Sequence, residues 1–248
     1  MKLILVGYGK MGREVERIAL ARGHQIVGRI DPEVKEADAP SLTAQLAKQA
    51  EVVIEFALPL GIEERVRSYA ENRLKAVIAT TGWQDKKGVI AEIVKQYGAG
   101  LVYGANFSLG ANLFFAIVQQ ACRLVAHFSE YDVFGYELHH RLKKDSPSGT
   151  ALTLAETILK EYPSKNKIIT DKLERAIAPT ELHFASVRGG HIPGTHTVLF
   201  DSEADTIELT HRARSRQGFA LGSIIAAEWI SSQTGLFEFS EIFQKQFC

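Results

Sequence analysis

The densest chemistry in the chain lies between residues 137 and 150, which read Glu137-Leu138-His139-His140-Arg141-Leu142-Lys143-Lys144-Asp145-Ser146-Pro147-Ser148-Gly149-Thr150. An imidazole titrates near neutral pH, and an ammonium group can both deliver a proton and bind a carboxylate. Adjacent histidines at the end of a regular strand point to opposite faces, so His139 and His140 should not share one task. Ser148-Gly149-Thr150 reads as the start of a helix. Small residues there leave backbone N–H groups open to an anion such as a substrate carboxylate. An acid–base histidine, a lysine and an anion cradle together suit reduction of a small acidic imine or enamine. Histidines are also metal ligands, but no cysteine or carboxylate stands at ligand spacing, and no metal is expected. Taken without its neighbours, the segment is simply a basic surface turn. A second run, Arg188-Gly189-Gly190-His191-Ile192-Pro193-Gly194-Thr195-His196, reads as a glycine-rich hairpin or loop, with Arg188 available for a second carboxylate.

A different chemistry opens the chain. The apolar run Lys2 to Val6 leads into Gly7-Tyr8-Gly9-Lys10-Met11-Gly12. In a strand–turn–helix setting, the first glycine permits the tight turn, the second lets the backbone approach a pyrophosphate, and the third lets helix and strand pack closely. Asp31 follows Gly12 by 31 − 12 = 19 residues, the place of an acid that binds the adenosine ribose. A nicotinamide dinucleotide is therefore expected. Asp31 repels a 2′-phosphate, the next residue is Pro32 rather than arginine, and only Lys35 compensates, so NADH should serve at least as well as NADPH. Ala79-Thr80-Thr81-Gly82 and Ala105-Asn106-Phe107-Ser108 each follow an apolar run, where strand ends should deliver loops to the cofactor. Their backbone groups and the Asn106 amide are candidates to hold the nicotinamide and its ribose. Alone, each would pass for an ordinary turn.

The elements that must position these groups can be read from periodicity. Short apolar runs at 2–6, 25–30, 52–56, 76–79 and 101–103 alternate with helical spacing at 11–22, 62–72 and 89–97, with a further helix capped by Ser41. This is the α/β pattern of a doubly wound parallel sheet. From about residue 106 the pattern changes. Helices at 110–127 and 150–161 and extended runs at 132–140, 181–188, 195–200 and 206–211 suggest an α+β second domain with antiparallel pairing. A helix at 218–232 should return to the first domain.

Lys plus Arg and Asp plus Glu each number 29, so the formal net charge is zero and a nucleic-acid partner is not expected. No leader and no run of about 18 apolar residues is visible, so no membrane span is expected. The only cysteines are Cys122, in an apolar helix, and the terminal Cys248. No disulfide framework is implied, and a reducing, cytoplasmic setting fits.

Taken together, HHRLKKDSPSGTA, GYGKMG, ATTG, ANFSLGAN and ELTHRARSRQGFALG make the chain resemble the dihydrodipicolinate reductases (4-hydroxy-tetrahydrodipicolinate reductases) of bacterial and plant lysine biosynthesis, over nearly its whole length. The pattern HH-x-x-K-x-D-x-P-SGTA is highly specific, whereas GxGxxG is not. The resemblance implies an N-terminal Rossmann domain, residues 1–105 and 216–248. It also implies a substrate domain, residues 106–215, whose open mixed sheet builds a homotetramer. The implied reaction is NAD(P)H-dependent reduction of a cyclic dicarboxylate to tetrahydrodipicolinate. His139 would be the acid/base residue and Lys143 the proton donor, with His140, Ser148, Gly149 and Thr150 on the substrate. Gly7 to Gly12, Asp31, Ala79, Thr80, Thr81, Gly104, Ala105, Asn106 and Phe107 would contact the cofactor. Two departures are Ala79, where many members have glycine, and Pro32, where many have arginine. Another two-domain amino-acid or semialdehyde dehydrogenase, or a non-catalytic dinucleotide sensor, would share the N-terminal signature but not the paired histidines beside SGTA.

Overall fold

The structure is a computed structural model that describes residues 1–247; Cys248, the expected terminal thiol, lies outside the described residues. The chain divides into two compact units, residues 1–109 with the segment from Arg216 onward, and residues 110–215.

In the first unit, β1 (Lys2–Val6) is buried from Leu3 to Val6, as continuous apolar runs of interior parallel strands must be. It pairs in parallel with β2 (Gln25–Ile30) and β3 (Val52–Glu55); β4 (Lys75–Ile78) and β5 (Gly100–Tyr103) extend the sheet. A sixth strand, β11 (Gly235–Glu238), adds to β5 in parallel. The order is β11-β5-β4-β3-β1-β2. One apolar core joins α1 (Lys10–Ala21) and α7 (Gln217–Ile230) to one face of the sheet, and a second joins α3 (Ile62–Glu71) and α4 (Lys87–Tyr97) to the other. The periodic pattern shows neither β11, only four residues long, nor the last helix α8 (Phe239–Phe247). The helix expected from Ser41 is a single turn, α2 (Ala44–Ala47), capped by Thr43, whose Oγ1 accepts from Leu46 N at 3.2 Å.

The second unit holds α5 (Leu109–Val125, from the end of the first unit), β6 (Asp132–His139), α6 (Gly149–Glu161), β7 (Lys167–Ile169), β8 (Glu181–Arg188), β9 (Thr195–Asp201) and β10 (Thr206–Arg212). The strand order is β10-β9-β6-β8-β7. The expected antiparallel pairing holds for β9 with β10 and with β6, but β6–β8 and β8–β7 are parallel. Since β6 lies between β8 and β9, residues 189–194 form a crossing loop rather than a hairpin turn. On one face Val133, Phe184, Val198 and Phe200 pack with Phe114 and Val118 of α5 and Leu154 and Ile158 of α6. The alternate face carries Phe134 and Val187, 37% and 53% exposed. Because side chains alternate along a strand, Glu137 and His139 of β6 share the helix-covered face with Ser186 and Arg188 of β8 and His196 of β9. Register then places Glu137 opposite both Ser186 and His196, and His139 opposite Arg188.

The turn between β1 and α1 shows why its glycines are needed. Gly7 adopts φ +86°, and a Cβ on Gly12 would stand 2.3 Å from the Gly7 carbonyl oxygen. Gly12→Ala should therefore destabilise the fold by about 1–3 kcal/mol, the usual cost of overpacking, and weaken dinucleotide binding with it. Urea denaturation and cofactor titration read both effects, and an unchanged midpoint with unchanged affinity would contradict this.

Candidate active site

The dinucleotide-binding elements lie at the carboxyl ends of the parallel strands, where open α/β sheets bind ligands. A cleft of about 650 Å³ is lined by Gly7, Gly9, Asp31, Pro32 and Phe56, among others. Asp31 is fixed by three backbone donors: Tyr8 N at 2.8 Å on Oδ2, and Glu33 N and Val34 N at 2.9 and 3.2 Å on Oδ1. Gly9 and Lys10 are exposed and Met11 is half-buried. Tyr8 is buried, with its hydroxyl bonded to Glu16 and its ring 4.9 Å from the Arg13 guanidinium. It can meet a cofactor only through its backbone.

The floor of the cleft holds a polar network that periodicity does not reveal. Glu55 ends β3 at 0% exposure. Its carboxylate accepts from Arg65 Nε at 3.0 Å and Nη2 at 2.8 Å, from Tyr69 OH at 2.6 Å, and from Thr80 Oγ1 at 2.9 Å. Arg65 also donates to the carbonyls of Leu58 and Leu60. The one sequence signal for this network is an acid closing an otherwise apolar strand. The network's Thr80 member has its hydroxyl turned inward, and the Thr80 carbonyl accepts from Trp83 Nε1 at 2.7 Å. Thr81 is exposed and Ala79 half-buried. Phe107 is likewise turned into the core, 4.7 Å from Phe239 between ring centroids, so only its backbone is available to a cofactor. Gly104 is buried and Ala105 exposed, while Asn106 Oδ1 accepts from Ser108 N at 2.9 Å.

In the second unit the register of β6, β8 and β9 assembles a cluster around Glu137, which is 0% exposed. Oε1 accepts from Ser148 N at 2.9 Å, Ser186 Oγ at 2.9 Å and Arg188 Nη2 at 2.7 Å. Oε2 accepts from Ser148 Oγ and lies 3.2 Å from His196 Nε2. Burial pushes this carboxyl group's pKa up, but hydrogen bonds from His196, Ser148 and Arg188 outweigh it and hold the group well below the ordinary range.

This arrangement corrects two expectations. Arg188 does not stand free for a substrate carboxylate: its Nη2 is shared between Glu137 and the Asp145 carbonyl, 2.7 Å from each. Ser148 is buried, held by Glu137, and caps α6 by accepting from Ala151 N at 3.2 Å, so its hydroxyl is not presented to an anion. Gly149 is exposed with nothing near its Cβ position, and Thr150 is half-buried beside it.

His139 is 7% exposed. Its Nδ1 lies 3.1 Å from the Pro193 carbonyl, which fixes the proton on Nδ1. Its Nε2 is 3.2 Å from Glu137 Oε2 but makes no hydrogen bond there. Burial lowers its pKa against the pull of Glu137, and His196, Lys143 and Arg188 lower it further. His139 is thus neutral at pH 7. His140 is half-buried beyond the strand, with its backbone N–H on the Ile192 carbonyl at 2.8 Å. The Lys143 ammonium holds Asp145 at 2.8 and 2.9 Å. Contrary to the sequence reading, a carboxylate does stand at ligand distance from two histidines: atoms of Glu137, His139 and His196 lie within 4.8 Å of one another. The donors already on Glu137, including the cation of Arg188, nonetheless make the cluster a poor cation site.

A dinucleotide-type α/β unit joined to a unit carrying a lysine, two histidines and a helix N-terminus defines an oxidoreductase of the two-domain dehydrogenase class. Residues 1–107 match the family model "Dihydrodipicolinate reductase, N-terminus", and residues 110–243 match "Dihydrodipicolinate reductase, C-terminus". The chain belongs to the dihydrodipicolinate reductase family. It is 36% identical over 247 residues to the 4-hydroxy-tetrahydrodipicolinate reductase of Christiangramia forsetii, covering 100% of this chain and 99% of that protein. Against the enzyme of the same name from Archaeoglobus fulgidus it is 37% identical over 238 residues, covering 90% and 91%. Its fold matches a dipicolinate-bound dihydrodipicolinate reductase from Paenisporosarcina sp. TG-14 with TM-score 0.77 at 22% identity, over 98% and 99% of the two chains.

Two histidines, buried His139 and half-buried His211, give the stability a definite pH dependence. Burial is the leading cause that lowers the pKa of both His139 and His211 below 6.5. A group depressed in the folded state stabilises above its unfolded pKa and loses that contribution as pH falls through the folded value, because the unfolded chain then binds more protons. The melting temperature should fall as pH is lowered from about 7.5 to about 5.5, as read by differential scanning calorimetry. A flat or rising trend would contradict this assignment.

Proposed function

We propose that this chain reduces 4-hydroxy-tetrahydrodipicolinate to tetrahydrodipicolinate in the diaminopimelate route to lysine. The observation that carries the reading is that Lys143, His140, Gly149 and Thr150, close together in the chain, all keep some solvent exposure while Glu137, His139 and Ser148 are buried, in a chain that matches the reductase family along nearly its whole length. The ring substrate loses water and takes up one hydride and one proton. When bound, NADH or NADPH supplies the hydride and leaves oxidised.

The protein's own groups bind and protonate. The backbone at Gly149 and Thr150, at the positive end of α6, suits one substrate carboxylate. Lys143 and His140 suit the other carboxylate and the ring. Lys143 delivers the proton; among the described residues its ammonium is held by the exposed Asp145 carboxylate. His139 was the expected acid/base residue. With Nδ1 on Pro193 and Nε2 facing Glu137, it is buried and packs against the loop that carries Gly194.

The cofactor preference follows from the cleft. Asp31 is anchored as a carboxylate acceptor, Pro32 and Glu33 flank it, and Arg65 is committed to Glu55. NADH should therefore serve at least as well as NADPH. We also propose a homotetramer, supported by the exposed apolar sheet face around Phe134 and Val187. A cytoplasmic setting is supported by Cys122, a buried thiol that burial pushes up to about 12. Light scattering after gel filtration should give four times the 27.4 kDa chain mass, and a monomer would rule the assembly out.

The reaction is tested by NADH oxidation at 340 nm that depends on freshly made product of the preceding synthase. A wild-type enzyme silent on that substrate would overturn the reading. In the same assay Lys143→Ala should cut kcat by about 10²–10⁴, the range of a general acid, and His139→Gln at least about tenfold. Wild-type kcat in Lys143→Ala would remove the proton donor from the account. A kcat/KM for NADPH more than about tenfold above NADH would refute the cofactor preference.

A further inference from the structure

Glu137 touches no solvent and so can touch no substrate, yet it holds both ends of the turn that follows Lys143. At one end, Ser148 offers it both its backbone N–H and its hydroxyl. At the other, Arg188 Nη2 donates one hydrogen to Glu137 Oε1 and one to the Asp145 carbonyl, each at 2.7 Å. The Asp145 side chain in turn holds the Lys143 ammonium. Residues 145–148 are thus clamped at both termini by a single buried carboxylate, and the lysine hangs from the clamped segment.

We propose that Glu137 is a positioning residue that, through Arg188, fixes the Lys143-bearing turn for proton delivery. The proposal rests on Lys143 as the proton donor. A carboxylate suits this task for a physical reason. Its two oxygens offer about four acceptor sites, and here donors arrive from α6, β8 and β9. A glutamine of the same shape would turn an NH₂ group against N–H and O–H donors, and would leave the Arg188 guanidinium, itself largely buried, without its counter-charge. Arg188 is equally specific. One planar nitrogen with two hydrogens bridges the carboxylate and the carbonyl, which a lysine ammonium does not reproduce in that plane.

The test is a set of coupled variants. Glu137→Gln and Arg188→Lys should each lower kcat by about 10–100-fold while leaving the KM for NADH within about twofold. The double variant should be no worse than the poorer single one, because both break the same link. In a Lys143→Ala background, Glu137→Gln should cost less than about twofold more. Effects that multiply, or a full further loss in that background, would overturn the proposal, since a generally weakened fold behaves that way. A second arm needs no turnover. Amide hydrogen exchange of residues 145–148 should speed up at least about tenfold in Arg188→Lys with β6 unchanged, and NADH binding, followed by fluorescence, should persist. Unchanged exchange at 145–148 would also overturn the clamp. Wild-type protein that shows no reductase activity, yet gains exchange on Arg188→Lys, would instead refute the function while leaving the clamp standing.

Discussion

A carboxylate with no exposed surface is the constraint on which the second unit turns. Stripping water from such a group costs several kcal/mol, and the chain offsets this by converging donors on Glu137 from two strands, β8 and β9, and from the cap of α6. Each donor is thereby fixed in place. Ser148 is set as the N-cap, so α6 starts where it does; Arg188 is drawn inward; His196 is locked against the carboxylate. Beside them Gly149 stays exposed, and Thr150, His140 and Lys143 are half-buried.

The first unit repeats the device. Glu55 closes β3 with no exposure, and Arg65, Tyr69 and Thr80 converge on it from α3 and from the loop after β4. Arg65 then ties down the carbonyls of Leu58 and Leu60 at the edge of the dinucleotide cleft. In each unit, loops at the functional end of a sheet are anchored from below by one desolvated anion. Buried networks of this kind impose one arrangement only when every member is satisfied, and most of the members here are. The orphaned side-chain atoms among the described residues are informative: His139 Nε2, Arg188 Nε and His196 Nδ1 all belong to residues that touch Glu137.

Much of the fold was legible in the sequence because it depends on local pattern. Runs such as Leu3 to Val6 and Val52 to Ile54 are apolar without interruption, as strands buried on both faces require, and their observed ends fall within a residue or two of those expected. Short strands escaped: Lys167–Ile169 and Gly235–Glu238 are too brief to carry a period. The parallel pairing of β8 with β6 escaped because the partner of a strand is a long-range fact. The same reason divides the site. His139, Lys143 and Gly149 to Thr150 lie in one stretch of chain and could be read together. That Ser148 and Arg188 point inward follows from Glu137 standing opposite Ser186 and His196, a register set across three strands. Thr80 and Phe107, expected to meet a cofactor through their backbone, turn their side chains to Glu55 and to the core, a direction that a place after a strand end does not reveal. Glu55 itself carried a readable signal, since an acid in an apolar strand needs buried partners.

The most direct measurement is the ionisation of Glu137 itself. The ¹³Cδ resonance, assigned by its loss in Glu137→Gln, can be followed from pH 7 to about 3.5, across the range where an ordinary glutamate titrates. The account predicts no inflection while the fold persists, because the donors from Ser148, His196 and Arg188 hold the carboxylate charged. A midpoint near the ordinary 4.5 would contradict it and remove the anchor on which the site is built.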